Sequence, residues 1–331
     1  MLDQISLNPA IRRVLQEQLD RVGVTFERQL ASDLTAVNRL CLHVGAYRGK
    51  MLRPTLTLVS GMVAAGDPGD GSTLTDAHIR VAAVAEMIHM ATLVHDDVLD
   101  DAEVRRRGAT VNHLRGNETA VMLGDYLISS AFHLCSTIGD PSINLAFGEI
   151  TNTLCAGELL QLHHREDWSL DEETYLEIIR RKTASLIGGC CRLGARLSRA
   201  DQSTENALHD AGFRLGVAFQ IQDDLLDLIG EETTVGKSVG RDLAKGKVTL
   251  PVLRFLSHAS PVERGRALQA LREGDACALG ALVRSAGTID SASDEARRFI
   301  DEARRCIARA PAGPARDFFD QIAMSMMQRR S

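Results

Sequence analysis

The sequence predicts an all-α protein, and three observations carry that prediction. Aromatic residues make up 4% of the 331 residues and prolines number eight, while Ala, Leu, Arg and Glu are abundant, a balance that favours helix. Apolar residues return at intervals of three and four in segment after segment, the period of a helix face, and strand signals are nearly absent. No internal repeat or linker-like stretch interrupts this pattern, so 1–331 reads as a single domain.

Residues from about 9 to 44 predict two helices, with Ile11, Val14 and Leu15 on one and Leu34, Val37, Leu40 and Leu42 on the other. Gly49-Lys-Met-Leu-Arg-Pro54 opens a third helix reaching about Ala65, its proline near the first turn, where a missing N–H costs nothing. Lys50 and Arg53 meet at that helix start, where exposed N–H groups and the helix dipole attract anions, although an isolated basic pair is more often a solvated face. Gly66 to Thr73 is turn-rich and reads as a plain connection.

The fourth helix is the centre of the chain. Val81, Val84, Met87, Ile88, Ala91 and Val94 carry its apolar face into Asp96-Asp-Val-Leu-Asp-Asp101, followed by Arg105, Arg106, Arg107 and Gly108. Asp96 and Asp100 stand at i and i+4, as do Asp97 and Asp101, so each pair shares a helix face. Acids at a helix C-terminus add to the negative end of the dipole, and a divalent cation offsets that cost. Hard oxygen donors with room for water suit Mg2+, which combines one or two carboxylates with substrate phosphates; a phosphate ester is the expected substrate. His89 precedes Asp96 by two turns and shares its face, although a lone helical histidine is more often a core residue.

Residues 117 to 138 and 142 to 164 predict two more helices, in which Asp125 and Gln161 read as hydrogen-bonded core groups. His163-His164 has no partner at metal-ligand spacing. Trp168 and Asp171 fall in the turn before the next helix, which carries Lys182 and Thr183. Phe219-Gln-Ile-Gln-Asp-Asp-Leu-Leu-Asp227 then repeats the acidic arrangement, with Asp223 and Asp227 at i and i+4. One such motif is weak evidence, and two, each followed by a segment rich in Gly, Lys and Arg, are strong. Gly230 to Lys247 is glycine-spaced and basic: a solvated loop, or a lid that closes Lys237 and Lys247 on the substrate phosphate. From Pro251 onward, helices are separated at Ser260-Pro261, Gly274, Gly287-Thr288 and Ala310 to Pro314.

With both acidic motifs in place, nearly the whole chain resembles the trans-isoprenyl diphosphate synthases of the polyprenyl synthetase family, most of all those that make medium and long chains. The resemblance implies an isoprenoid-synthase bundle of helices around a deep central cavity, with the two motifs facing each other across its mouth. It implies Mg2+ on Asp96, Asp100, Asp223 and Asp227, and isopentenyl diphosphate on Lys50, Arg53, His89 and Arg106. The allylic diphosphate falls to Arg105, Lys182, Thr183, Gln220, Lys237 and Lys247. The chain departs from the family where Arg107, rather than glycine, follows the second arginine; which two of the three reach phosphate is open by one position, and the ungapped alignment through Thr110 and Asn112 selects Arg105 and Arg106. Short-chain members carry a bulky aromatic near Ala91 and Thr92, so small residues there imply a product longer than farnesyl. A homodimer is also implied.

A net charge of −6 offers no basic footprint for nucleic acid. Seven cysteines without CxxC spacing suit a reducing cytoplasm. No leader pattern opens the chain, and no uninterrupted apolar run approaches the ~20 residues of a membrane span, so a soluble protein is expected, touching membrane at most transiently to release product. Three alternatives compete. A class I terpene cyclase would lack the Gly49 to Pro54 box and the second full acidic motif, and both are present. A non-catalytic partner subunit of a heteromeric synthase would be expected to have lost an aspartate or a phosphate-binding base. A farnesyl or geranylgeranyl diphosphate synthase would differ only in product length.

Overall fold

The computed structural model describes residues 9–45, 47, 49–105, 108–229 and 241–327. These form two compact units interleaved along the chain, one drawn from 1–151, 186–212 and 305–322, the other from 152–185, 213–304 and 323–331. Apart from one short hairpin, the described residues are helices and their connections.

In the first unit, α1 (Pro9–Leu30) buries Ile11, Val14, Leu15, Leu19, Val22 and Phe26, the predicted three-and-four spacing. After α2 (Thr35–Gly45), α3 (Leu52–Ala65) is buried almost throughout and ends on Gly66, whose left-handed φ of 63° lets its N–H return to the last turn. The connection to α4 is more than a plain turn. Asp67 is buried, one carboxylate oxygen accepting from the N–H groups of Gly69, Asp70 and Gly71 and the other from the N–H and hydroxyl of Thr73. Burial would raise its pKa, but these donors outweigh burial and hold it below the usual range.

The helix α4 (Asp76–Leu99) packs on α1, α3 and α6 (Asn117–Ser136). It starts at a capping box in which His78 takes the place usual for Glu: its Nδ1 accepts from the N–H of Thr75 at 3.1 Å, and its Nε2 lies 3.2 Å from the Gly194 carbonyl. By length and composition α4 could cross a membrane, but 72% of its most apolar window is buried inside the protein, as in a core helix. Near its end the His95 ring lies against Gly124 of α6, where a Cβ would come within 2.1 Å of it. Asp125 beside that glycine is exposed, not a core group, and sits 3.5 Å from His95. Beyond α4, strands β1 (Val104–Arg105) and β2 (Gly108–Ala109) pair antiparallel, a hairpin too short to leave a period in the sequence; α5 (Val111–Arg115) follows.

The second unit includes the end of α7 (Pro141–His163) and α8 (Glu172–Ile179), whose N-cap Asp171 accepts from the N–H of Thr174 at 2.7 Å. A π turn over Arg180–Ala184 joins α8 to α9 (Ser185–Leu197). Two glycines make room for it: a Cβ on Gly157 of α7 would meet Arg181 at 2.6 Å, and one on Gly216 of α10 (Gln202–Ile229) would meet Ala184 at 2.6 Å. A short helix at 241–244 falls inside the run read as a loop or lid; the later helices of the chain, at 250–258, 261–273, 276–285, 288–307 and 314–327, break where the sequence predicts.

Candidate active site

In the first unit the site is built on the last turns of α4. Val81 through Ile88 are all buried; beyond them His89, Thr92, Asp96 and Asp100 are half-buried, as are Leu93, His95 and Val98, and Leu99 is exposed. At 100° per residue, His89, Asp96 and Asp100 lie within about 20° of one line down the helix. Ala91 is fully buried, and the Thr92 hydroxyl donates to the His89 carbonyl at 2.8 Å. Lys50 is exposed and Arg53 half-buried on either side of Met51, which caps α3 with a left-handed φ of 51°. Such a conformation is strained for a residue with a Cβ, and strain of this kind gathers at functional sites.

Asp97 and Asp101 do not form the second facing pair. The helix ends at Leu99 with Asp100 as its cap, and Asp101 turns away, exposed, with a φ of 46°. Asp97 is buried, its Oδ1 receiving both Nε and Nη2 of Arg105 at 2.7 Å. Burial works against the guanidinium charge, but the bond to Asp97 outweighs it and holds the Arg105 pKa above its ordinary value. Thr110 and Asn112 tie the hairpin back: both donate to the Ala102 carbonyl, and Asn112 also to that of Asp97. Arg106 and Arg107 lie outside the described residues.

In the second unit the π turn sends two consecutive side chains to different partners. Lys182 Nζ donates to Gln161 Oε1 of α7 at 3.0 Å and forms an ion pair with Glu158. Thr183 donates to Gln220 Oε1 of α10 at 2.7 Å, and Gln220 Nε2 donates to Asp224 Oδ1 at 2.8 Å. Asp224 also accepts from the Tyr175 hydroxyl at 2.7 Å. Burial, with Asp242 near by, pushes the Asp224 carboxyl well above the usual carboxylate range, against the pull of those two donors. Burial likewise holds the Tyr175 phenol far above its ordinary value, so it keeps its proton and donates.

Asp223 and Asp227 are half-buried, one turn apart on α10. The N–H of Asp242 donates to Asp227 Oδ2 at 2.9 Å, and the N–H of half-buried Lys247 returns to the Asp242 carbonyl at 2.9 Å. Lys237 falls outside the described residues.

The sequence model of the family described as Polyprenyl synthetase matches residues 35–281. The chain belongs to the polyprenyl synthetase family. Among curated relatives, it is 32% identical to the octaprenyl diphosphate synthase of Escherichia coli K12, over 96% of this chain and 98% of that protein. It is also 32% identical to component 2 of the heptaprenyl diphosphate synthase of Geobacillus stearothermophilus, over 97% and 98%. The fold matches the crystal structure of polyprenyl synthase from Caulobacter crescentus CB15, complexed with calcium and isoprenyl diphosphate, with a TM-score of 0.90 at 30% identity and 98% coverage of each chain.

As a polyprenyl synthetase the chain is a prenyltransferase with an all-α fold, and its acids fit a hard divalent cation. Asp96 with Asp100, and Asp223 with Asp227, each offer carboxylate oxygens one turn apart at a helix end. Among the described residues no three His, Cys, Asp or Glu side chains are grouped to hold a metal by themselves. A cation there would complete its shell with substrate oxygens and water.

Three residues escape the sequence reading. Glu158 stands three before Gln161 on one helix face, a spacing that could have linked both to Lys182. Asp242 is an acid inside a basic, glycine-rich run, a contrast that could have marked it. Tyr175 carries no local signal, because its partner is on another helix.

Proposed function

We propose that this polyprenyl synthetase condenses isopentenyl diphosphate head to tail with an allylic diphosphate, in a magnesium-dependent reaction giving an all-trans product longer than farnesyl. The observation that carries the reading is the end of α4: beyond eight successive buried residues, half-buried His89, Asp96 and Asp100 share one side of the helix.

Magnesium, when bound by Asp96, Asp100, Asp223 and Asp227, supplies Lewis-acid neutralisation of the departing diphosphate. Lys182, Thr183, Gln220, Lys237, Lys247 and Arg105 orient the allylic diphosphate, with Glu158 and Gln161 holding the Lys182 ammonium in place. Asp97 fixes Arg105 in turn. Lys50, Arg53, His89 and Arg106 hold isopentenyl diphosphate so that its double bond meets the allylic carbon. The proton lost on closing the new bond goes to the departed diphosphate. Ala91 and Thr92 leave α4 without an aromatic stop, which supports a long product.

We further propose that 1–331 works as one catalytic domain, as a homodimer in the cytoplasm, with at most transient membrane contact during product release. Exposed Met122 on α6 and Leu145 on α7 are apolar surface of the kind a subunit interface covers. A second reading, catalysis only with a partner subunit, is favoured by the relative described as component 2.

The test is turnover of the purified chain alone with isopentenyl and farnesyl diphosphates and magnesium, its products read by mass spectrometry. Activity that falls by orders of magnitude in Asp96→Ala and Asp223→Ala supports the proposal. Near-wild-type turnover in either variant refutes that motif's role, and activity that requires a second protein selects the partner reading.

A further inference from the structure

The second acid of the downstream motif differs from its neighbours. Asp223 and Asp227 are half-buried, whereas Asp224 is 7% exposed and has both carboxylate oxygens engaged, Oδ2 by Tyr175 and Oδ1 by Gln220. The bonds run in a definite direction. The amide nitrogen of Gln220 faces Asp224 and the Gln220 oxygen faces Thr183. Thr183 spends its single hydroxyl proton on that oxygen, so its lone pairs remain for another donor or a cation.

The orientation of Gln220 and the polarity of Thr183 are thus both set by Asp224. One thing more holds Asp224 itself: the phenol of Tyr175, 4% exposed and 2.7 Å away. Tyr175 on α8 and Thr183 in the π turn belong to one run of chain, and their partners Gln220 and Asp224 stand one turn apart on α10. Two hydrogen-bonded rungs therefore fasten the Lys182-Thr183 segment to the helix that bears the acidic motif, and Tyr175 is the rung away from Lys182 and Thr183. A buried network fully satisfied in this way is rigid, and removing one member loosens the rest.

We propose that Tyr175 is a positioning residue for the allylic diphosphate, acting through Asp224 and Gln220 on Thr183. This rests on the proposed function, which assigns Thr183 and Gln220 to that substrate. Tyr175 never meets the substrate; its hydroxyl keeps the Asp224 carboxylate from rotating and exchanging the Gln220 amide for another donor.

The experiment is Tyr175→Phe, which keeps the ring and removes one oxygen, combined with Thr183→Val in a double-mutant cycle. The wild-type chain is assayed first, so that failure of the assigned reaction is seen separately from failure of this inference. Tyr175→Phe is expected to raise the Michaelis constant for the allylic diphosphate about ten-fold, the effect of one buried hydrogen bond, and that for isopentenyl diphosphate less than about two-fold. In the Thr183→Val background the same change should cost less than about two-fold more, because the relay is already cut. A merely structural role would lower the melting temperature and leave the split and the non-additivity absent. Equal effects on both substrates, or losses that multiply in the double variant, overturn the proposal. If Tyr175→Phe does not fold, Asp224→Asn, which keeps the volume but offers only one acceptor oxygen to two donors, must show the same selective rise. An equal rise for both substrates in that variant overturns the proposal as well.

Discussion

Replacing Gly157 by alanine adds one carbon where none fits. The new Cβ would stand 2.6 Å from Arg181 Cβ and 2.8 Å from the Lys182 backbone nitrogen, where ordinary contact begins at 3.4 Å. The shortfall, 3.4 less 2.6, is about 0.8 Å, and backbone cannot rotate out of the way as a side-chain tip can. The π turn must therefore move by most of an ångström, carrying Lys182 from Gln161 and Glu158. A misplacement of ~1 Å in a positioning group costs on the order of 100-fold in rate, or about 2.7 kcal/mol in the barrier. Stability should change less, because alanine favours a helix interior over glycine by about 1 kcal/mol and this offsets part of an overpacking cost of ~1–3 kcal/mol. The expected signature is a folded protein, by circular dichroism and melting temperature, whose incorporation of labelled isopentenyl diphosphate falls about 100-fold. A folded Gly157→Ala enzyme within about three-fold of wild-type turnover would refute the claim that the glycine places Lys182.

Lys50→Ala and Arg53→Ala should each raise the Michaelis constant for isopentenyl diphosphate about ten-fold while leaving that for the allylic substrate nearly unchanged; parallel increases would reject the assignment. Ala91→Tyr should shorten the product, since each methylene withheld from apolar surroundings forgoes roughly 0.8 kcal/mol, and chromatographed products as long as the wild type's would show that the tail does not pass this residue. His78 is held neutral in the fold, first by burial, with its pKa lowered to about 4 from 6.5. The unfolded chain takes up that proton below pH 6.5 and the folded one does not until about pH 4, so the stability it contributes is full above 6.5 and falls by about 3 kcal/mol as pH drops to 4. Urea melts of His78→Gln should show a flatter acid slope over that window; an unchanged slope would place the sensitivity elsewhere.

Helices were legible in the sequence because their signals are local: the spacing of Ile11, Val14 and Leu15, the proline at position 54, and Asp171 ahead of Thr174 all act within a turn or two of chain. The acids at 96, 100, 223 and 227 were legible for the same reason, as i and i+4 pairs at the ends of apolar helices. Asp97 and Asp101 were misread because helical periodicity was carried one residue too far, past the cap at Asp100. The buried pair of Asp97 and Arg105 depends on a two-residue hairpin that no periodicity reports. Tyr175 and Asp224 are 49 residues apart, and only the packing of α8 with α10 reveals them as partners.

The π turn at Arg180–Ala184 has a consequence for how this segment can change length. A π turn closes its hydrogen bonds around one residue more than an α turn does, and one surplus residue is worth about 100° of rotation. Everything after Ala184 is therefore presented one step further round than an unbroken helix begun at Glu172 would present it. Deleting a single residue here would give the backbone more regular bonds and, in the same stroke, swing Thr183 off Gln220 or Lys182 off Gln161. An insertion or deletion that a surface loop absorbs without notice amounts, at this point, to exchanging one whole side of the helix for another.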